Sequence, residues 1–210
     1  MDGGDYLVSL NLAGLKVLVV GAGTVAARKI GGLPASILGV TVVAPEISNE
    51  IVELLARANW EADIVQREFE PSDLSGCDLV FAATSDSGLN SEIARLARER
   101  GVLVNDVSDS LQSSFSNVAM VNKGGISIGV SSNPKVPGFS KAVSKLIEET
   151  LPEDLDRLLV LVAAVRSKAL DSGHSADGLD WVKVLHSRVF EYIRMGDFPQ
   201  AEESLAECHL

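Results

Sequence analysis

The 210-residue chain is 46% apolar but only 5% aromatic, and its 18 Lys and Arg against 29 Asp and Glu leave a net charge of −11. That length buries a core without metal or disulfide staples, and the acidic balance argues against a nucleic acid as the main partner. Cys77 and Cys208 are too far apart in sequence to suggest a disulfide framework and point to a reducing compartment. The first ten residues lack the basic flank and apolar stretch of a signal peptide, and the longest apolar helical run, 158–165, falls far short of the ~20 residues that span a bilayer. A soluble, cytoplasmic protein with no membrane contact is expected.

Lys16 precedes the aliphatic run Val17-Leu18-Val19-Val20, which ends in Gly21-Ala22-Gly23. A continuous run of this kind reads as a strand buried on both faces of a parallel sheet. Further runs at 40–43, 79–83 and 102–104 stop at Pro45, at Thr84-Ser85-Asp86 and at Asn105-Asp106. Helical segments at 49–57 and 90–100 lie between them, so strands and helices alternate as in a doubly wound sheet. The first crossover carries Gly31, Gly32 and Pro34; its helix should break near Gly32 and restart at Pro34, where proline is tolerated in a first turn. After about Ser110 the chain turns Ser- and Asn-rich, and Gly124-Gly125 introduces a strand at 126–130. Pro137 opens a helix whose apolar face is Phe139, Val143, Leu146 and Ile147. Helices are expected at 155–170, 179–195 and 198–208.

Gly21-Ala22-Gly23-Thr24-Val25-Ala26 fits G-x-G-x-x-A directly after a strand and at a helix start. The first glycine permits the tight turn, the second lets backbone approach a pyrophosphate, and the small third residue lets helix and strand pack. The pyrophosphate would meet the N–H groups of the first turn, Thr24 and Val25 included. A glycine turn without a ligand is the plainer reading. At the end of the second strand, where an acidic residue holds the adenosine ribose, stand Ala44, Pro45 and Glu46. No Lys or Arg follows within ten residues to meet a 2′-phosphate, which favours NAD over NADP.

Taken with YLVSLNL at 6–12, the stretches VLVVGAGTVAARK (17–29), VTVVAPE (40–46), REFEPSDLSGCDLVFAATSD (67–86), Val104-Asn105, Phe115, residues 126–132 and Pro137 make a colinear pattern. It resembles the precorrin-2 dehydrogenases of siroheme biosynthesis, some of which are also sirohydrochlorin ferrochelatases. The resemblance implies an α/β fold: a Rossmann-type doubly wound parallel sheet over 1–112, a dimerisation region over 113–152 and a small helical domain over 153–210. It implies NAD as cofactor, precorrin-2 as substrate, ferrous iron as a substrate of bifunctional members, and a homodimer. It adds Thr84 and Asn105 to the cofactor set, and Ser132 to the substrate set, which Lys135 joins as a local cation.

The pattern departs where the family's chemistry lies. The aspartate three residues beyond the asparagine is Ser108, flanked by Asp106 and Asp109. Asn133-Pro134 replaces a glycine pair, Val136 a serine and Val118 a proline. These changes bear on both activities, the chelatase more than the dehydrogenase. Asp109, Asp106 and Ser108 are the candidate catalytic residues, Asp109 first because the turn releases it from strand alternation; a polar turn is the plainer alternative. Arg28, Lys29, Lys123, Lys135 and Lys141 are candidates to receive substrate carboxylates. His174, His186 and His209 share no metal-ligand spacing with the cysteines, and no metal site is expected. Cys77 reads as a small buried residue and Cys208 as a thiol at a frayed terminus. Competing readings are an inactive NAD-sensing regulatory module and a scaffold for other tetrapyrrole enzymes.

Overall fold

The computed structural model describes residues 6–132, 137–171 and 180–208. They divide into two compact units, with the boundary between Asn117 and Val118.

In the first unit, β1 (Lys16–Val20), β2 (Gly39–Val43), β3 (Glu61–Val65), β4 (Leu79–Ala82) and β5 (Leu103–Asp106) form one parallel sheet in the order β3-β2-β1-β4-β5. The aliphatic runs occupy its centre because both faces are covered. Val17, Val19 and Phe81 pack with α1 (Thr24–Gly31) and α2 (Asn49–Ala56), while Leu18, Val20, Val80 and Val104 pack with α3 (Ser87–Glu99). Each fully buried aliphatic side chain contributes about 1.5–3 kcal/mol. The strand order reverses between β1 and β4, and at such a switch point the crevice beyond the strands' carboxyl ends takes ligands.

Helix α1 stops at Gly31 with Gly32 as its C-cap, as expected, but does not restart: Pro34 opens a turn closed by the Ile37 N–H on its carbonyl. Helix α3 starts three residues before Asn90, because Asp86 caps it by accepting the N–H groups of Gly88 and Leu89. Strand β3 was not among the expected runs. As an edge strand of largely exposed side chains it carries no continuous apolar signal.

The second unit begins with an antiparallel hairpin of β6 (Ala119–Lys123) and β7 (Ile126–Val130), turned by Gly124 and Gly125 at φ of +57° and +77°. Two successive positive φ values suit this two-residue turn. A Cβ on Gly124 would also lie 2.4 Å from the Leu155 Cβ. Helix α4 (Pro137–Thr150) follows, then α5 (Leu155–Asp171), α6 (Trp181–His186), α7 (Val189–Met195) and α8 (Phe198–Ala206). The Lys123 ammonium, proposed above for substrate, instead donates to the Glu148 and Leu151 carbonyls and so closes the end of α4.

Three expectations change here. The face of α4 turned inward carries Ser140 and Ser144, whereas Phe139 and Leu146 are both 61% exposed. The helix expected over 179–195 is two, because the Ser187 hydroxyl donates to the Val184 carbonyl and accepts the Val189 N–H. Cys208 is no frayed thiol: it is buried with Val184, Ile193 and Leu205, its Sγ donating to the Ser204 carbonyl. Among the described residues no helix is long and apolar enough to cross a membrane.

Candidate functional site

A cleft of about 920 Å³ opens at the carboxyl ends of β1, β2 and β4. Gly21 sits at φ +109° with its N–H on the Val43 carbonyl, and an added Cβ would lie 2.4 Å from the Ala83 oxygen. Its missing side chain is what lets the turn after β1 pass the end of β4. Gly23 differs: its φ of −88° is ordinary, and a Cβ there would meet nothing within 4 Å. It borders the cleft as the N-cap of α1 and offers no side-chain cap. Ser48 and Asp86, by contrast, cap α2 and α3. The uncapped N–H groups of the first turn, with room left by Gly23, suit a pyrophosphate. Ala26 is fully buried, as close packing of helix on sheet requires.

Ala44, Pro45 and Glu46 line the same cleft, and so does Thr84. The charged lining is wholly acidic, comprising Glu46, Glu68, Asp86 and Glu92. Arg67, nearby in sequence, is held by a two-point ion pair to Asp73 at 2.5 and 2.8 Å. That pairing raises the Arg67 pKa and lowers that of Asp73 from their ordinary values. Among the described residues the lining thus offers no cation to a 2′-phosphate.

The end of β5 carries a connected polar group. The buried Asp106 carboxylate accepts, at Oδ1, the Ser108 N–H (2.8 Å), the Ser108 hydroxyl (2.6 Å) and the Asp109 N–H (3.1 Å). Its Oδ2 is buried and has no partner among the described residues. Asn90, buried on α3, donates from Nδ2 to Ser108 Oγ at 3.0 Å and to the Thr84 carbonyl at 3.1 Å. Its Oδ1 accepts the Thr84 N–H and hydroxyl. Ser108 itself is exposed.

The structure thus brings Gly21, Gly23, Ala44, Pro45, Glu46 and Thr84 to one cleft, and joins Ser108 and Asp106 to it through Asn90. Thr24 and Val25 lie in the first turn of α1 outside the lining; Thr24 is exposed and Val25 packs on the core. Asn105 is buried and donates to the Phe115 carbonyl at 3.0 Å, away from the cleft. Asp109 is not the free carboxylate expected: half-buried, it accepts the Leu111 N–H and caps a 3-10 turn at 110–112. Ser132, in the second unit, shares a hydrogen bond with Ser140. Lys135, Asn133, Pro134, Val136, His174 and His209 lie outside the described residues. His186 is exposed, and Cys77 is half-buried with burial pushing its thiol up to about 11.

Asn90 went unnoticed in the sequence, where it reads as one polar residue of an amphipathic helix. Lys29 was singled out only as one of several cations. Its ammonium lies 5.3 Å from the Phe81 ring centroid and donates to Asn117 at 2.6 Å. Burial, with Arg28 adding to it, brings its pKa down to about 8. No spacing rule points to either arrangement.

A family model for NAD(P)-binding domains matches residues 8–119. Siroheme synthase of Nitrosococcus oceani is 32% identical over 204 residues, covering 96% of this chain and 43% of that protein. Siroheme synthase of Blochmanniella pennsylvanica is 35% identical over 167 residues, 78% of this chain and 34% of that protein. The chain therefore spans about two fifths of the length of such relatives. Among solved structures, SirC, a precorrin-2 dehydrogenase, superposes with a TM-score of 0.71 at 22% identity, covering 97% of this chain and all of that one. The chain belongs to the NAD(P)-binding family, as a homologue of the siroheme synthases built on the fold of a precorrin-2 dehydrogenase.

Proposed function

We propose that this protein oxidises precorrin-2 to sirohydrochlorin in the cytoplasm, with NAD as the hydride acceptor. What carries the reading is the reach of the kinship: the match runs through 96% of the chain, the second unit included, and not through the glycine cradle alone. An inactive NAD sensor would need only the first unit. In this reading Gly21, Gly23 and the first-turn N–H groups of Thr24 and Val25 hold the pyrophosphate. Ala44, Pro45 and Glu46 hold the ribose, and Thr84 borders the reacting end of the cofactor. Asn105 keeps the end of β5 in place beneath Phe115. Ser132 and Lys135 receive the substrate's carboxylates, and Asp109 takes the proton that leaves with the hydride.

Residues 113–152 form the dimerisation region and 153–210 the helical domain. Phe139 and Leu146, exposed on α4, supply the apolar contact between two copies. Ferrous iron is at most a slow second substrate. Its insertion displaces two pyrrole protons, and a serine hydroxyl at 108 is a far weaker base than the carboxylate it replaces. The test is anaerobic mixing of precorrin-2, NAD and protein, following NADH and sirohydrochlorin by absorbance. Equimolar appearance of both, faster than spontaneous oxidation, is expected. A rate equal to the protein-free control defeats the proposal.

A further inference from the structure

The Thr84 N–H can only donate and the Thr84 carbonyl can only accept, so the two bonds between Asn90 and Thr84 fix which end of the amide is oxygen and which is nitrogen. The second Nδ2 hydrogen must then go to Ser108 Oγ, 3.0 Å away. Ser108 Oγ also lies 2.6 Å from Asp106 Oδ1, which already accepts two backbone N–H groups, so the hydroxyl is the donor and its proton points there. One lone pair of Ser108 Oγ is taken by Asn90 and its single hydrogen by Asp106. What remains on this atom, carried by an exposed residue, is a lone pair.

We propose that Ser108 presents the substrate with an oxygen that can only accept a hydrogen bond, and that Asp106 and Asn90 are the positioning residues that hold it so. The proposal rests on the reading of the substrate as a tetrapyrrole and names the part of it that is read: an inner N–H. Asp106 cannot turn away, because Oδ1 is pinned by the N–H groups of Ser108 and Asp109 as well. The hydrogen bond that the Ser108 hydroxyl donates to Asp106 polarises the oxygen and strengthens its own capacity to accept. Asn90 and Asp106 are 1% and 3% exposed, so neither competes for the ligand directly. Ser108 stands just past the carboxyl end of β5, on the side of the sheet where open α/β folds hold ligands. Asn90 ties it to Thr84, which lines the cofactor cleft.

An oxygen with its hydrogen committed inward favours an N–H donor and repels a carboxylate or carbonyl. It therefore distinguishes a free-base macrocycle from one whose inner hydrogens a square-planar metal without axial affinity has replaced, and Ser108 is in this sense a specificity-determining residue.

The experiment measures binding of sirohydrochlorin and of its square-planar palladium complex, which takes no axial oxygen ligand, to the full chain in the presence of NADH, by absorbance titration. Wild type is expected to hold the free base about three- to tenfold tighter, the range of one neutral hydrogen bond. Ser108→Ala should bring the ratio near one by weakening the free base alone, and Ser108→Thr, which keeps the hydroxyl, should restore it. Asn90→Ala and Asp106→Asn should give intermediate ratios while the palladium complex binds as before, a pattern that general loosening of the fold does not produce. If those buried variants fail to fold, the exposed Ser108 pair decides alone. An unchanged ratio in Ser108→Ala, or equal loss of both ligands, overturns the proposal. A wild type that oxidises precorrin-2 while Ser108→Ala keeps the preference refutes this inference only; one that neither oxidises precorrin-2 nor binds either macrocycle refutes the parent reading and this inference together.

Discussion

Gly21→Ala and Gly23→Val separate folding from cofactor binding within one three-residue turn. At Gly21 the backbone has φ +109°, and the new Cβ would stand 2.4 Å from the Ala83 oxygen and 2.7 Å from its carbon. A non-glycine residue in that region costs ~1–3 kcal/mol, and the overlap with rigid backbone adds ~1–3 kcal/mol as β1 and β4 shift apart. A loss of at least about 2 kcal/mol lowers Tm by roughly 10 °C for a domain of this size. Gly23→Val meets nothing within 4 Å and has an ordinary φ, so its cost is the difference between N-cap residues, below about 1 kcal/mol. Its side chain instead occupies the space assigned to the pyrophosphate, and NAD affinity should fall at least about a hundredfold, ~2.7 kcal/mol. Thermal unfolding and calorimetric titration with NAD read the two quantities separately. Wild-type affinity in Gly23→Val, or wild-type Tm in Gly21→Ala, would refute the division of labour.

NADP should bind at least about tenfold more weakly than NAD, since Glu46, Glu68, Asp86 and Glu92 leave its 2′-phosphate without a cation; equal or tighter NADP binding in the calorimeter contradicts this. The Lys29 amine, lowered by burial to about 8, makes the folded chain hold fewer protons than the unfolded one between there and the ordinary 10.5. Stability relative to Lys29→Met should therefore rise from pH 8 to about pH 10, by on the order of 1 kcal/mol, and a flat difference in urea midpoints argues otherwise. Phe139→Glu and Leu146→Glu, both exposed on α4, should convert a dimer to a monomer in light scattering; a wild type that scatters as a 22.2 kDa particle removes the premise. Asp109→Ala should lower turnover at least about tenfold, ~1.4 kcal/mol, and unchanged turnover would take the proton-accepting role from it.

Much of the first unit was legible because its central strands are buried on both faces and so are written as unbroken aliphatic runs. Strand β3 was not, since an edge strand with Glu61 and Asp63 exposed lacks that signature. Strand β6 hid for a related reason: Met120 faces outward and only Val121 is fully buried. The α4 reading failed on a subtler point. Phe139 and Leu146 share its helical stripe with Val143 and Ile147, but periodicity cannot say whether a stripe is covered by the same chain or by another. Within the chain, the small Ser140 and Ser144 are what the fold buries. At the cradle the motif located the glycines, yet only the backbone separates Gly21, needed by the strands, from Gly23, free for a ligand.

The end of β5 shows what spacing leaves out. Ser108 and Asp106 share strand parity, which places them about 7 Å apart along an extended chain at ~3.3 Å per residue. The backbone turns after Asp106, however, and the hydroxyl meets the carboxylate at 2.6 Å. That contact changes what the missing aspartate means. A carboxylate at 108 would both orient an N–H and take its proton. A hydroxyl backed by Asp106 orients as well but takes a proton poorly, because its own must first move to an oxygen already held by two N–H groups. Dehydrogenation needs one proton to leave once the ring is placed, the task proposed for Asp109, and proximity of NAD and substrate supplies much of the remaining acceleration. Iron insertion needs two protons removed from the nitrogens that the metal will occupy. In the proposed reading, Ser108 in place of an aspartate therefore weakens metal insertion more than oxidation, and a Ser108→Asp variant should raise any chelatase activity while changing dehydrogenation less.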